Sequence, residues 1–381
     1  NHLYFISWIK MIFFRKHMGI SKKVAGELFE GVIDIVGDVH GEHEALWDLL
    51  THLGYNHDGE HPEGRRLVFV GDLVDRGPNS PQVVEDVIRL FDNGKAQCIL
   101  GNHELNILMH KKKDGNGWLS EEHQKYSEEK GWNYEWKETA TPSQYKRFVE
   151  FFHRLPLALQ RTNGKNFPLR VVHAYWDQTV LEQISIAQNI GEDCLEKEKQ
   201  LAASITVEEK REIKTFYAKH DISSKDPPVP MNQILAQCET RMQMGNPIKV
   251  VTSGIEGVMR EGEPQYLSGK YRMVERMPWW ETYTKNIPVV FGHYWRSLQK
   301  AQGKEQKRLF GSTTAHNWLG VKKNTYCVDF SVGRRYRERR NGTKTNFLGQ
   351  LGALRVPERR DGLWTVTLSN GTSIELPKIG I

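Results

Sequence analysis

The sequence predicts an α/β fold with a largely parallel sheet and a helical insertion. Three observations predict it. Short Val- and Ile-rich runs alternate with stretches of helical periodicity in the first part of the chain, the pattern of βαβ units. Several of those runs end in a glycine next to Asp, Asn or His. A charged stretch from Asp177 to about Asn246 then shows helical character and little strand signal.

Taken in order, Val32–Val36 predicts a strand and His43–Leu53 a helix. Arg66–Val70 predicts a strand, Pro81–Phe91 a helix, and Ala96–Leu100 a third strand with a helix after Asn102. Residues from Lys111 to Pro142 are polar and carry Trp118, Trp132 and Trp136, and they read as an excursion from the core. Pro142–Arg154 predicts a helix and Leu169–Val172 a strand. Lys249–Thr252, Ile287–Phe291, Asn324–Val328 and Gly352–Val356 predict further strands. The closing "LWTVTLSNGTSIELP" reads as a hairpin with a two-residue Asn370-Gly371 turn.

Composition narrows the classes. With 38% hydrophobic and 26% charged residues in 381, disorder is not the default and a sizeable core can form. The four cysteines form no CxxC pair, which argues against a disulfide framework and predicts a reducing, cytoplasmic location. The N-terminal "NHLYFISWIKMIFFRKH" is apolar but interrupted by Lys10. It falls short of the roughly 20 residues of a transmembrane helix and lacks the layout of a signal peptide. Residues 1–30 read as an extension that could contact a membrane surface peripherally. Charge is uneven: from Phe291 onward there are 17 Lys+Arg against 6 Asp+Glu, densest at Arg334–Arg340. That run could attract an anionic substrate or nucleic acid, but no nucleic-acid module accompanies it. A solvated loop is the plainer reading.

Five fragments carry the chemistry: "GDVHG" (37–41), "GDLVDRGP" (71–78), "GNHE" (101–104), "VVHA" (171–174) and "FGH" (291–293). Each follows an apolar run, and the carboxyl ends of strands line the ligand crevice of open α/β sheets. Asp38, His40, Asp72, Asn102, His173 and His293 can therefore converge. Alone, "GDVHG" is an ordinary strand-to-turn junction and His173 an ordinary core histidine. Together and in order, the five fragments point to metal. Carboxylate, imidazole and amide oxygen without thiolate suit manganese, iron or zinc. Six side chains are too many for one open catalytic ion and about right for two ions sharing a carboxylate.

These fragments resemble the calcineurin-like metallophosphoesterases, in particular the PPP-type phosphatase branch. "GDLVDRG" has the Asp-Arg-Gly ending, "GNHE" has Glu, and "GHYW" lacks a second His two residues after His293. The bacterial members, including symmetrical dinucleoside tetraphosphate hydrolases and small protein phosphatases, are similar in cadence. The resemblance implies a β-sandwich of mixed sheets flanked by helices, spanning 31–356 with 177–246 as a helical cap, and with 357–381 part of the same domain. It implies two divalent ions, manganese first, with iron or zinc as alternatives. Asp38 and His40 would hold one ion, Asp72 would bridge, and Asn102, His173 and His293 would complete the other. His103 would act as general acid with Asp75 holding its ring, and Arg76 would grip phosphate. A second phosphate-binding arginine is expected, with Arg272 first and Arg276 and Arg260 behind it.

The implied activity is hydrolysis of phosphomonoesters by a metal-activated water, as in serine/threonine or tyrosine phosphoprotein phosphatases. Hydrolysis of dinucleoside polyphosphates or other nucleotides is the alternative. A catalytically silent scaffold is a further one, and it would predict loss of a ligand or of the acid, none of which is lost. The chain departs from the pattern at Ala174-Tyr175-Trp176, where Tyr175 and Trp176 could narrow the mouth or stack on a base. It departs again at "YCVDFSVG" (326–333), where two extra residues leave the role of Asp329 open.

Overall fold

The computed structural model describes residues 24–380, apart from 133, 163, 185–188, 260–262, 268–269 and 299–303. Most of the aromatic N-terminal extension, and Arg260, lie outside the described residues. Two sheets pack face to face. The six-stranded sheet runs Ser373–Glu375, Thr365–Leu368, Gly352–Val356, Ile33–Val36, Arg66–Phe69, Ala96–Cys98. The five-stranded sheet runs Ala25–Glu27, Ala158–Arg161, Leu169–Val172, Val289–Phe291, Thr325–Cys327.

Both sheets are mixed. Ile33–Val36, Arg66–Phe69 and Ala96–Cys98 run parallel, whereas Gly352–Val356 pairs antiparallel beside Ile33–Val36. In the second sheet Leu169–Val172, Val289–Phe291 and Thr325–Cys327 are parallel, and Ala158–Arg161 opposes them. The sequence expectation of a largely parallel sheet therefore holds for the strands that feed the fragments and for Thr325–Cys327, and fails at Gly352–Val356, the C-terminal hairpin and Ala158–Arg161. Period-two alternation explains the layering. Ile33, Ile35, Val68, Val70, Val171, Val290 and Val328 fill the space between the sheets. Val36, Phe69, Val172 and Phe291 face the flanking helices and loops.

Local chemistry sets the helices. Asn79 caps Ser80–Asp92 by accepting the Gln82 N–H, and the helix buries Val83, Val84, Val87 and Leu90. Thr141 and Gln144 form a capping box on Pro142–Arg154, which buries Phe148, Phe151 and Phe152. Between Gln178 and Met244 the chain forms four helices among the described residues.

Several expectations are corrected. Lys249–Thr252 lies in a helix, Pro247–Ser253, rather than a strand. Its β-branched run suggests a strand, but Asn246 accepts the Lys249 N–H and Pro247 starts the first turn. The C-terminal turn is longer than two residues: Leu368 N–H bonds Thr372 O, with Gly371 at φ 82. The stretch after Lys111 is not wholly an excursion, because Trp118 is fully buried. Ala25–Glu27, inside the expected extension, is an edge strand paired with Ala158–Arg161. No helix among the described residues is long and apolar enough to cross a membrane.

Candidate metal centre

The strand ends deliver their polar residues through backbone that side chains rarely tolerate. His40 (φ 48), Asp72 (φ 49), Asp75 (φ 74), Arg76 (φ 70) and His293 (φ 70) all sit in the left-handed region. Strain of this kind gathers at functional sites. The Asp72 carbonyl accepts the Val39 and His40 N–H groups at 3.0 and 2.9 Å, which locks the first two loops together. Glycine is required where the loops touch. A Cβ on Gly37 would run into the Val328 carbonyl, and one on Gly292 into the Asp38 carboxylate.

Asp72 lies at the centre. His173 Nε2 is 3.3 Å from its Oδ1, and His103 and His40 Nε2 are 3.8 and 3.9 Å from its Oδ2. Asn102 Oδ1 lies 3.2 Å from His173 Nε2 and 2.9 Å from His293 Nδ1. Two groups of donors thus share Asp72: His40, Asp72 and His103, and Asp72, His173 and His293, each with its atoms within 4.8 Å. The rings are preset. His40 Nδ1 bonds Val74 O at 3.1 Å and His173 Nδ1 bonds Val70 O at 2.7 Å. Each Nδ1–H donates to its carbonyl, so each Nε2 is the ring atom turned inward. Glu104 frames the floor by accepting the Gly101, Asp72 and Leu73 N–H groups at 3.0, 2.9 and 2.8 Å.

Asp38 lies outside both compact groups. Its carboxylate accepts the His293 backbone N–H at 3.2 and 3.1 Å, and the first compact group contains His103 in its stead. Asp329 lies close enough to matter: burial first, then Asp329, push the Asp38 carboxyl well above its usual range. Burial would raise Asp72 too, but His173, His103 and His40 hold it well below. Burial, then Arg76 and His103, depress His40; burial, then Arg276 and His173, depress His293. Burial works against a charged His173, but Asp72 and then Asp38 push it up to about 10. The buried carboxylates thus hold positive charge in the pocket, and this oxygen and nitrogen set fits borderline divalent cations.

The expected acid lies beside this set. His103 Nδ1 is 2.6 Å from Asp75 Oδ2, and Asp75 Oδ1 accepts the Trp118 indole N–H at 2.7 Å. Trp118 gave no signal in the sequence, since it sits in a polar stretch 43 positions from its partner. Arg76 directs Nη1 at His40 Nε2 (2.8 Å) and Nη2 at His103 Nε2 (3.2 Å).

A groove of about 510 Å³ runs outward from Asn102 and His293, lined by Arg272, Arg276, Lys111 and Lys249 and by Glu198, Glu239 and Glu256, with Glu198 paired to both lysines. Arg276 lies beside a metal-ligand candidate, with Nη1 3.5 Å from the His293 carbonyl, and Arg272 lines the same groove. Trp176 does not guard the mouth: it is buried, with the Arg170 guanidinium 4.8 Å from its ring. Tyr175 packs edge-on against Trp279 and donates to Asp177. Nor is Arg334–Arg340 a solvated loop. Arg335–Arg340 is a helix, Arg335 bonds Gly349 O and Gln350, and Arg339 pairs with Glu42.

A family model described as calcineurin-like phosphoesterase matches residues 31–221. The bis(5'-nucleosyl)-tetraphosphatase PrpE (asymmetrical) of Oceanobacillus iheyensis is 37% identical over 153 residues, 37% of this chain and 55% of that protein. That of Anoxybacillus flavithermus is 47% identical over 75 residues, 19% of this chain and 31% of that protein. The chain thus spans about a third to a half of the length of these curated relatives. The cold-active protein-tyrosine phosphatase of a psychrophilic Shewanella is 16% identical with a TM-score of 0.43, over 95% of this chain and 88% of that one.

Proposed function

The chain belongs to the calcineurin-like phosphoesterase family, and from that membership we propose that it hydrolyses phosphate esters with two divalent cations held around Asp72. Asp38 and His40 would hold one ion, Asn102, His173 and His293 the other, with the Asp72 carboxylate shared. The observation that carries this reading is the sharing itself: His40 on one side and His173 and His293 on the other meet at one buried carboxylate, Asp72, and Asp38 joins His40 by the family resemblance. Manganese, iron or zinc would supply Lewis acidity toward phosphate oxygens and nucleophilic water near neutral pH.

The chain's own residues supply the rest. Asp75 accepts from His103 Nδ1, which turns Nε2, now beside Arg76, toward the site to carry a proton to the leaving oxygen. Trp118 fixes the other Asp75 oxygen, so the carboxylate cannot rotate away. The Arg76 fork matches two phosphate oxygens, and Arg276, beside His293, is the better placed of the two candidate second arginines.

Phosphomonoesters, including phosphoprotein serine, threonine or tyrosine, are one substrate class. A nucleotide polyphosphate is favoured by a separate observation. The groove leads from Asn102 and His293 past Lys111, Lys249 and Arg272; Glu198 pairs with both lysines, so a further phosphate would take that carboxylate's place on them, and curated relatives are named as bis(5'-nucleosyl)-tetraphosphatases. The test compares kcat/KM on diadenosine tetraphosphate, a phosphopeptide and p-nitrophenyl phosphate with Mn²⁺ added. The nucleotide reading expects the first to lead, and Lys249→Ala to narrow its lead. Preference for the phosphopeptide would favour the phosphoprotein class, and no turnover on all three would reject the enzyme.

A further inference from the structure

Trp295 occupies backbone that a tryptophan adopts only under constraint, with φ 53. Ser331, on the neighbouring strand-end loop, is left-handed as well, with φ 63. One buried carboxylate holds both. Asp329 Oδ2 accepts the Trp295 N–H at 2.8 Å, and Oδ1 accepts the Ser331 N–H at 2.8 Å. The Asp329 carbonyl accepts the next amide, Arg296 N–H, at 2.8 Å.

The constraint has a visible consequence. The Arg76 guanidinium carbon lies 4.8 Å from the Trp295 ring centroid. Its nitrogens point at His40 and His103. Among the described residues Arg76 makes no ion pair with a carboxylate. A ring face attracts the cation without consuming an N–H, so the indole takes none of the donors that now meet His40 and His103 and that the fork would present to an oxyanion. Core packing alone does not demand this indole. Trp118, Trp279, Trp280, Trp318 and Trp364 are fully buried, whereas Trp295 is half-buried beside the site.

We propose that Trp295 is the positioning residue for Arg76: its ring sets the plane and depth of the guanidinium, and Asp329 is the clamp that holds the ring there. The proposal rests on Arg76 as the phosphate-gripping arginine, and it gives Asp329 the role that the sequence leaves open.

The test uses the full chain with Mn²⁺, reading p-nitrophenyl phosphate kinetics and, separately, inorganic phosphate binding by calorimetry. Trp295→Ala should weaken phosphate binding and raise KM roughly 10-fold while kcat changes much less. Trp295→Phe should recover most of the loss. In an Arg76→Ala background Trp295→Ala should add nothing. Asp329→Asn should weaken phosphate binding in the same Arg76-dependent way, and it carries the test should Trp295→Ala not fold. Unchanged phosphate affinity in Trp295→Ala, or a full additional loss in the Arg76→Ala background, would overturn the proposal. If wild type binds phosphate but turns nothing over, the hydrolase reading fails while the calorimetric comparison still decides this one.

Discussion

His103 Nδ1 lies 2.6 Å from Asp75 Oδ2, and its Nε2 lies 3.8 Å from Asp72 Oδ2. One imidazole therefore faces two carboxylates, and its role turns on which of them governs. As an acid it is held by Asp75. As a ligand it would serve the ion beside Asp72.

Replacing it separates the two. His103→Ala should lower kcat by about 100-fold or more, the scale of a lost general acid, and leave bound metal unchanged by elemental analysis. Loss of one ion per chain in that variant would make His103 a ligand.

The second prediction concerns Trp118. Its indole is fully buried and its N–H bonds Asp75 Oδ1 at 2.7 Å. Trp118→Phe removes that donor and leaves a buried carboxylate oxygen unpaired, which should cost about 2 kcal/mol of stability. It should also lower kcat, because Asp75 is freer to turn from His103. Urea denaturation and steady-state kinetics read the two effects, and a change in neither would remove Trp118 from the chain of support.

The third prediction lies away from the site and depends on pH. Burial works against the charged Asp86, but His43, Trp47 and Arg89 hydrogen bonds bring its carboxyl below the usual range. A depressed carboxyl contributes stability that is present above its unfolded value of 3.8 and is lost as pH falls through the folded value. Asp86 is buried but its partner Arg89 reaches solvent, so screening trims the contribution to about 1 kcal/mol. Asp86→Asn should destabilise by that amount at pH 7, and the difference should shrink toward pH 3. An equal difference at both pH values would contradict the assignment.

These cases also mark what the sequence could and could not disclose. The metal-ligand candidates were legible because each sits within a few residues of a strand end, so local pattern carries the signal. Trp118 was not legible, since its meaning depends on Asp75, far away in sequence. The pairing of Trp295 with Arg76 was hidden for the same reason. Lys249–Thr252 misled because Val250, Val251 and Thr252 favour strands, while the cap that makes them helical lies just ahead at Asn246 and Pro247. The antiparallel Gly352–Val356 could not be oriented from composition alone. Trp176 looked available for stacking, and only the packed structure shows Arg170 against its ring.

The shared carboxylate is tested most directly by counting metal. Wild type and Asp72→Ala would be saturated with Mn²⁺, desalted and measured by elemental analysis, with circular dichroism confirming that both are folded. The account predicts two ions per wild-type chain and loss of at least one in Asp72→Ala. Two ions retained in the variant, or none in the wild type, would contradict it.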